Sequence, residues 1–163
     1  MKVIITGGCG HIGTYLVPML IDAGYDVINI TRGISRPYEY NPAWEKVRSV
    51  QLDRTKDFQF AEKIAKMNPD IVIDLINFDV NDTKSMVSAL KNTRCCHYLF
   101  CSSCWAHGRA EVLPLNPDDL KKSPLDDYGR NKFASELYLK EMYRSEGFPA
   151  TIIMPGQISG PGW

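Results

Sequence analysis

Short apolar runs alternate with longer amphipathic stretches along this chain. The runs are rich in valine and isoleucine and nearly continuous, which is typical of parallel strands covered on both faces. They predict strands at 2–6, 26–31, 47–52, 70–76, 96–101 and 150–155. The stretches between them have helical spacing and predict helices at 11–23, 57–67, 81–91 and 127–146. Because strands and helices alternate, the expected fold is α/β with a doubly wound parallel sheet.

The apolar pattern also predicts which side chains face the core. Phe58 belongs to the apolar face of the second predicted helix, and Leu137 to that of the last. Pro18 lies inside the first predicted helix, where its ring and missing N–H favour a kink. Proline-containing segments at 33–46 and 106–125 interrupt the rhythm and are predicted to be loops.

Composition narrows the kinds of partner. The chain has 163 residues, 44% of them hydrophobic, which is enough for one domain with a buried core. Its 19 basic and 19 acidic residues give a formal net charge of zero, so no electrostatic attraction to nucleic acid or an anionic membrane is expected. The sequence has no run approaching the about 20 apolar residues of a membrane helix and no signal-peptide core. A cytoplasmic protein that acts on a small molecule is expected.

A glycine-rich turn, TGGCGHIG at 6–13, joins the first predicted strand to the first predicted helix. Glycines let the backbone approach a pyrophosphate, and the following helix directs its N–H groups and positive dipole end at the phosphates. This placement indicates a dinucleotide-binding domain of the Rossmann type over residues 1–163. The predicted cofactor contacts in this turn are Gly7, Gly10, His11, Ile12 and Gly13.

The end of the second predicted strand bears on the choice between NAD and NADP. NAD-binding proteins of this fold place an acidic residue there to accept from the ribose 2′-hydroxyl. This strand ends instead in Thr31 and Arg32, and a guanidinium pairs well with a 2′-phosphate. NADP is therefore favoured over NAD, with a solvated loop arginine as the alternative. Asp53, after the third strand, is predicted either to contact the adenine edge or to stabilise a turn.

Candidate acid–base chemistry lies in YGRNK at 128–132. Tyr128 and Lys132 are spaced i and i+4, on one face of the last predicted helix. A free phenol has a pKa of about 10, and a neighbouring ammonium together with the nearby nicotinamide cation is expected to lower the pKa of Tyr128. The phenol would then exchange a proton with a substrate hydroxyl or carbonyl during hydride transfer. A serine at the end of the fifth predicted strand, Ser102 or Ser103, would orient the substrate oxygen. A surface tyrosine–lysine pair is the alternative.

The chain has five cysteines, and Cys101 and Cys104 form a C-x-x-C pair. A zinc or redox site is one interpretation. Against it, no second such pair completes a ligand set, and cysteine is often buried as a small hydrophobic residue. Cys96 and Cys101 lie in or beside the fifth predicted strand and are expected to be buried. No metal site is predicted.

In combination these motifs resemble the extended short-chain dehydrogenases/reductases of the NAD(P)-dependent epimerase/dehydratase family. The matching segments are TGGCGHIG at 6–13, FCSSCWAHG at 100–108, YGRNK at 128–132 and PGQISGPG at 155–162. The resemblance implies a catalytic triad of Ser103, Tyr128 and Lys132, with Tyr128 as general acid/base. It also implies that Lys132 holds the nicotinamide ribose and that Pro155 lies beside the nicotinamide.

The resemblance further implies an activity and an organisation. It suggests an epimerase or reductase acting on a nucleotide sugar or similar small molecule, and a homodimer through helices 81–91 and 127–146. Dehydratases of the family carry Asp-Glu after the catalytic serine, whereas Cys104 and Trp105 follow Ser103 here. The family's C-terminal substrate lobe is missing, so the chain is expected to be an N-terminal fragment. A non-catalytic nucleotide-binding redox sensor or scaffold is the alternative function.

Overall fold

The computed structural model describes residues 1–110, 112–119 and 121–161. Within these ranges six parallel strands form one sheet in the order β3-β2-β1-β4-β5-β6. The strands are β1 (Lys2–Thr6), β2 (Asp26–Thr31), β3 (Arg48–Gln51), β4 (Ile71–Asp74), β5 (His97–Cys101) and β6 (Ala150–Ile153). The helices are α1 (His11–Asp22), α2 (Phe60–Lys66), α3 (Val80–Leu90) and α4 (Asp127–Glu146), with 3₁₀ turns at Pro42–Lys46 and Cys104–Ala106. This strand order confirms the predicted doubly wound, Rossmann-type fold.

Side chains of the central strand β1 point alternately into two apolar cores. Ile4 packs with α2, α3 and α4 on one side of the sheet, whereas Val3 and Ile5 pack with Val17 of α1 on the other. All four side chains are fully buried. Two-sided burial requires apolar residues at every position of a strand, which explains the continuous apolar runs.

The sheet edges and some helix faces differ from the sequence prediction. β3 and β6 lie at the two edges, and their residues are all partly or fully exposed instead of being covered on both faces. Phe58 is 92% exposed, so its predicted place in the core is wrong. The reason is local: the Asp57 carboxylate accepts a hydrogen bond from the Gln59 backbone N–H, and this turn precedes the start of α2 at Phe60.

The two long helices also depart from their predicted apolar faces. α1 runs without interruption through Pro18, which is buried. In α4, Leu137 is 42% exposed, and the polar residues Lys132 and Glu136 are buried instead. No helix within the described ranges is long and apolar enough to cross a membrane.

The sheet topology places a cleft at the carboxyl ends of β1 and β4. α1 follows β1 on one face of the sheet, and α3 follows β4 on the other. Because the two connections leave in opposite directions, a crevice opens between them, where ligands of this fold class bind.

The close packing of α1 on the turn that precedes it gives a testable prediction. A Cβ at Gly13 would lie 2.3 Å from the Gly8 carbonyl oxygen, so Gly13→Ala forces the helix away from the turn. We expect the free energy of unfolding in urea to fall by about 2 kcal/mol. Gly160→Ala is the control, because nothing lies within 4 Å of a Cβ there. Equal urea midpoints for the two variants would contradict the packing argument.

Candidate active site

Two adjoining cavities of about 540 and 500 Å³ lie at the carboxyl edge of the sheet in the described part of the chain. They share the wall residues Gly7, Gly10, Ile76 and Phe78. The two cavities therefore form one elongated cleft with the glycine-rich turn at its middle. We call its halves the Tyr128 end and the Arg32 end, after a side chain that lines each.

The glycine-rich turn has the features that an anion requires. Gly7 has φ +79°, which L side chains rarely adopt, and its carbonyl accepts from the Gly10 N–H at 3.0 Å. Gly10 caps α1 without any side-chain hydrogen bond, and the first turn of α1 has no acidic residue. The positive end of the α1 dipole therefore faces the cleft without a competing carboxylate, which fits the pyrophosphate of a dinucleotide.

The predicted residues of this turn have different positions. Gly7, Gly10, His11 and Ile12 line the Tyr128 end. Gly13 does not line either cavity, because it packs against the Gly8 backbone instead. Gly13 therefore allows α1 to pack closely on the preceding turn and does not face the cleft.

Arg32 and Asp53 both line the Arg32 end of the cleft. The carboxylate of Asp53 accepts from the backbone N–H and hydroxyl of Thr55 at 3.0 and 2.7 Å, and these bonds hold the pKa of Asp53 below its ordinary value. Asp53 therefore stabilises a turn and also faces the cavity. Arg32 is exposed and forms no ion pair with the residues described, so its charge is available to an anion.

At the Tyr128 end, local contacts bring Tyr128 and Ser103 together. The Asp126 carboxylate caps α4 by accepting from the Gly129 N–H at 2.7 Å. A Cβ at Gly129 would lie 2.5 Å from the Trp105 carbonyl oxygen, so the first turn of α4 packs directly on the turn that begins at Ser103. The Ser103 and Tyr128 side chains both line this end of the cleft, and the Ser103 hydroxyl acts to lower the pKa of the Tyr128 phenol.

Lys132 lies one helical turn beyond Tyr128 and is almost completely buried, with 1% of its surface exposed. Its Nζ donates to the Asn77 carbonyl at 2.7 Å and to the Cys101 carbonyl at 2.6 Å. The same Nζ is 5.5 Å from the centre of the Tyr128 ring. Burial disfavours the charged form and lowers the pKa of Lys132 to about 8.

The expected lowering of the Tyr128 pKa is wrong for the chain by itself. Partial burial withdraws the phenol from water and raises its pKa, and the hydrogen bond with Ser103 only partly opposes this effect. The Lys132 ammonium is shared between two backbone carbonyls instead of pointing only at the phenol. Tyr128 therefore holds its proton firmly at neutral pH.

Ser102, Cys101 and Cys104 line the same end of the cleft as Ser103 but differ from it in their contacts or burial. The Ser102 hydroxyl donates to Glu136, and this contact directs it away from Tyr128. Cys101 is buried as predicted, whereas Cys96 is exposed because β5 begins only at His97. Among the residues described, no three histidine, cysteine or acidic side chains are grouped so as to hold a metal ion.

The segment after β6 closes the Tyr128 end. Pro155, Gly156, Gln157 and Ile158 line it, and the Pro155 carbonyl accepts from the Cys104 N–H at 3.0 Å. This contact ties the PGQISGPG segment to the turn that carries Ser103. The last glycine of that motif, at position 162, lies outside the described residues.

Asp74 is a structural centre that the sequence reasoning did not identify. Its fully buried carboxylate accepts hydrogen bonds from the side chains of Thr6, Arg54, Asn77 and Tyr98 at 2.6–3.0 Å. Burial by itself raises the pKa of Asp74, but the Arg54 charge and these hydrogen bonds outweigh it and hold the pKa below its ordinary value. The sequence signal was an aspartate within an apolar strand, because a charge there needs a partner.

Strand order and the glycine-rich turn define a Rossmann-type domain, and Tyr128, which is 38% exposed, lies one helical turn before the buried Lys132. The family profile described as "NAD dependent epimerase/dehydratase family" matches residues 3–162. The chain therefore belongs to this family.

Similar proteins include enzymes and one protein named for another property. The 2'-dehydrokanamycin reductase of Streptomyces kanamyceticus is 29% identical over 97% of this chain and 43% of its own length. The chloroplast stem-loop binding protein of 41 kDa b of Arabidopsis thaliana is 26% identical over 98% of this chain and 43% of its own length. A solved structure is also similar: the UDP-N-acetylglucosamine 4-epimerase of Methanobrevibacter ruminantium M1 in complex with UDP-N-acetylmuramic acid. It matches with a TM-score of 0.77 and 25% identity, and the match covers 93% of this chain and 53% of that one. The chain thus spans about half the length of these proteins.

The buried lysine predicts an unusual pH dependence of stability. The unfolded chain binds a proton at Lys132 up to the ordinary pKa of 10.5, but the folded chain releases it at a pKa of about 8. Unfolding therefore takes up a proton between these values, and the contribution of Lys132 to stability rises with pH, by about 3 kcal/mol in total. The difference in unfolding free energy between wild type and Lys132→Met, measured in urea, should increase over this range. Lys91→Met is the exposed-lysine control, and a constant difference would contradict the burial of the charge.

Proposed function

We propose that this chain forms the cofactor-binding part of an NAD(P)-dependent epimerase or reductase. Its reaction is hydride transfer at a hydroxyl or carbonyl carbon of a sugar nucleotide or a similar small molecule. The observation that carries the proposal is the convergence of Ser103, Tyr128 and buried Lys132 at one end of a cleft. Membership of the family supports the same class of chemistry.

Each end of the cleft suits one part of the cofactor. The glycine-rich turn fits the pyrophosphate, and Arg32 with Asp53 lines the half that would take the adenosine. The exposed Arg32 guanidinium suits a 2′-phosphate and is the basis for favouring NADP over NAD. His11, Ile12 and Pro155 line the half that would take the nicotinamide, which supplies the hydride acceptor or donor when bound.

Tyr128 moves the proton in this mechanism. Its raised pKa keeps the phenol protonated at neutral pH. In the direction of reduction the phenol O–H donates its proton to the carbonyl oxygen as that carbon receives hydride, and a hydroxyl results. In the direction of oxidation the phenolate takes the proton back from the hydroxyl. Ser103 holds the same oxygen within reach of the phenol, which keeps the reacting atoms aligned.

Lys132 stabilises the phenolate and anchors the ribose. Within the described part of the chain, the carbonyls of Asn77 and Cys101 accept hydrogen bonds from two of the three N–H groups of Lys132. The third donor remains for a hydroxyl in the cleft, which Lys132 lines. The nearby ammonium also stabilises negative charge on Tyr128 when the proton has left.

The lining of the Tyr128 end narrows the reaction further. Its described residues include no aspartate or glutamate, and Cys104 and Trp105 follow Ser103. A carboxylate pair that would eliminate water from a sugar is therefore missing from this surface. Epimerisation or reduction is therefore favoured over dehydration. The names of the reductase and epimerase relatives agree with this preference.

A homodimer through α3 and α4 is part of the proposal. The two helices pack side by side on one face of the sheet. Leu137 and Tyr143 of α4 are 42% and 64% exposed, which provides apolar surface for a second copy.

Cofactor preference is tested by titrating NADPH and NADH into the chain and its Arg32→Ala variant, following cofactor fluorescence. Loss of a charge-assisted contact with the 2′-phosphate should weaken NADPH binding about tenfold or more and change NADH binding less than about twofold. Arg36→Ala, an exposed arginine in the same loop, is the control. Equal losses for the two cofactors would show that Arg32 does not read the 2′-phosphate.

The acid–base role is tested with Tyr128→Phe in the protein expressed from its complete reading frame, assayed with NAD(P)H and a panel of UDP-sugars. Turnover should fall at least about a hundredfold while the cofactor Kd stays within about twofold, because only the proton donor is removed. Tyr143→Phe, on the exposed side of α4, is the control. Unchanged turnover in Tyr128→Phe would refute the assignment. Cofactor binding without turnover of any sugar would favour the sensor or scaffold alternative.

A further inference from the structure

Three side chains of α4, spaced one turn apart, contact three consecutive residues at the end of β5. Tyr128 lines the same end of the cleft as Ser103, which acts to lower the pKa of its phenol, and Lys132 donates to the Cys101 carbonyl. Ser102 lies between Cys101 and Ser103, and its hydroxyl donates to the carboxylate of Glu136. The proposed mechanism uses Tyr128 and Lys132 but gives no role to the contact between Glu136 and Ser102.

Glu136 is a buried carboxylate with a dedicated counter-charge. Lys122, from the segment between β5 and α4, places its Nζ 2.5 Å from the Oε2 of Glu136, and each side chain is only 1% exposed. The other oxygen, Oε1, accepts from Ser102. Burying two charges is costly, and an apolar pair of similar size would be at least as stable. Stability alone therefore does not account for this pair.

The origin of Lys122 links this pair to the rest of the site. Its neighbour Ser123 donates its backbone N–H to the His107 carbonyl at 3.0 Å and bridges Gly108. The loop is thereby closed onto the turn that begins at Ser103. Neither Lys122 nor Glu136 lines the cleft, so any effect on the reaction must act through Ser102.

We propose that Glu136, neutralised by Lys122, is a positioning residue that holds Ser102 and thereby keeps the Ser103 hydroxyl against Tyr128. The backbone leaves little freedom, because Ser102 donates its N–H to the Ile153 carbonyl at 2.7 Å while its side chain is held by Glu136. Ser103 is therefore fixed from one side by β6 and from the other by α4. This inference rests on the proposed function, since it concerns the geometry of the same serine and tyrosine.

Two double variants separate positioning from charge balance. Lys122→Met with Glu136→Gln removes both charges but keeps an oxygen at position 136 that accepts from Ser102. Lys122→Met with Glu136→Met removes both charges and the acceptor. Because neither variant leaves an unpaired buried charge, both should fold with similar urea midpoints. They differ only in the hydrogen bond that the proposal makes responsible for positioning.

The expected results differ between the variants in kcat and not in cofactor binding. With NADPH and the best UDP-sugar of the panel, the glutamine variant should keep kcat within about threefold, and the methionine variant should lose about tenfold or more. The Kd for NADPH should stay within about twofold in both. Glu146→Gln, which removes an exposed partner of Lys91 at the end of α4, is the matched control and should leave kcat unchanged. Equal kcat values for the two double variants would overturn the proposal.

The titration of the Tyr128 phenol provides a readout that does not require turnover. The hydrogen bond with Ser103 lowers the phenol pKa, so loosening it in the methionine variant should shift that pKa upward, as followed by ¹³C NMR of labelled tyrosine. An unchanged pKa with well-folded protein would contradict positioning even without a substrate.

Tyr128→Phe separates the two hypotheses: if it retains turnover, the proposed function fails. If it loses turnover while the double variants match each other, only the role of Glu136 fails.

Discussion

The ammonium group of Lys132, buried at the junction of two strands and a helix, is the interaction on which the site depends. It binds the backbone carbonyls of Asn77, beyond β4, and Cys101, at the end of β5. Two segments that are far apart in sequence are thereby joined to α4, the helix that carries Tyr128. A charge in this position is costly to bury, which is why its pKa falls to about 8. A buried and strongly perturbed lysine that lines a cleft is a candidate functional group.

Two further pairs of buried charges lie in the same part of the structure as the Lys132 ammonium. Asp74 is paired with Arg54 below the glycine-rich turn, and Glu136 with Lys122 beside Ser102. The Asp74 carboxylate also binds the side chain of Asn77, the residue whose carbonyl holds Lys132. The polar interior is therefore continuous from the Arg32 end of the cleft to the Tyr128 end. Such a network fixes orientation more than it adds stability, because each charge is expensive to desolvate.

The relatives are named for different properties, although each is similar to this chain over at least 93% of this chain's length. One is named as a 2'-dehydrokanamycin reductase, one as a UDP-N-acetylglucosamine 4-epimerase, and one for stem-loop binding. A shared fold alone therefore leaves the activity undetermined, and the geometry of Ser103, Tyr128 and Lys132 has to carry the argument.

Local pattern was enough to determine the alternation of strands and helices, the doubly wound sheet, the glycine-rich turn and the i, i+4 pair of Tyr128 and Lys132. Each of these depends on residues close together in sequence or on two-sided burial of a continuous apolar run. Tertiary structure alone decided that Phe58 and Leu137 are exposed, that Tyr128 has a raised pKa, and that Asp74, Glu136 and Lys122 are buried. Those outcomes depend on partners from distant segments, and a buried charge cannot be distinguished from a surface charge until its partner is known.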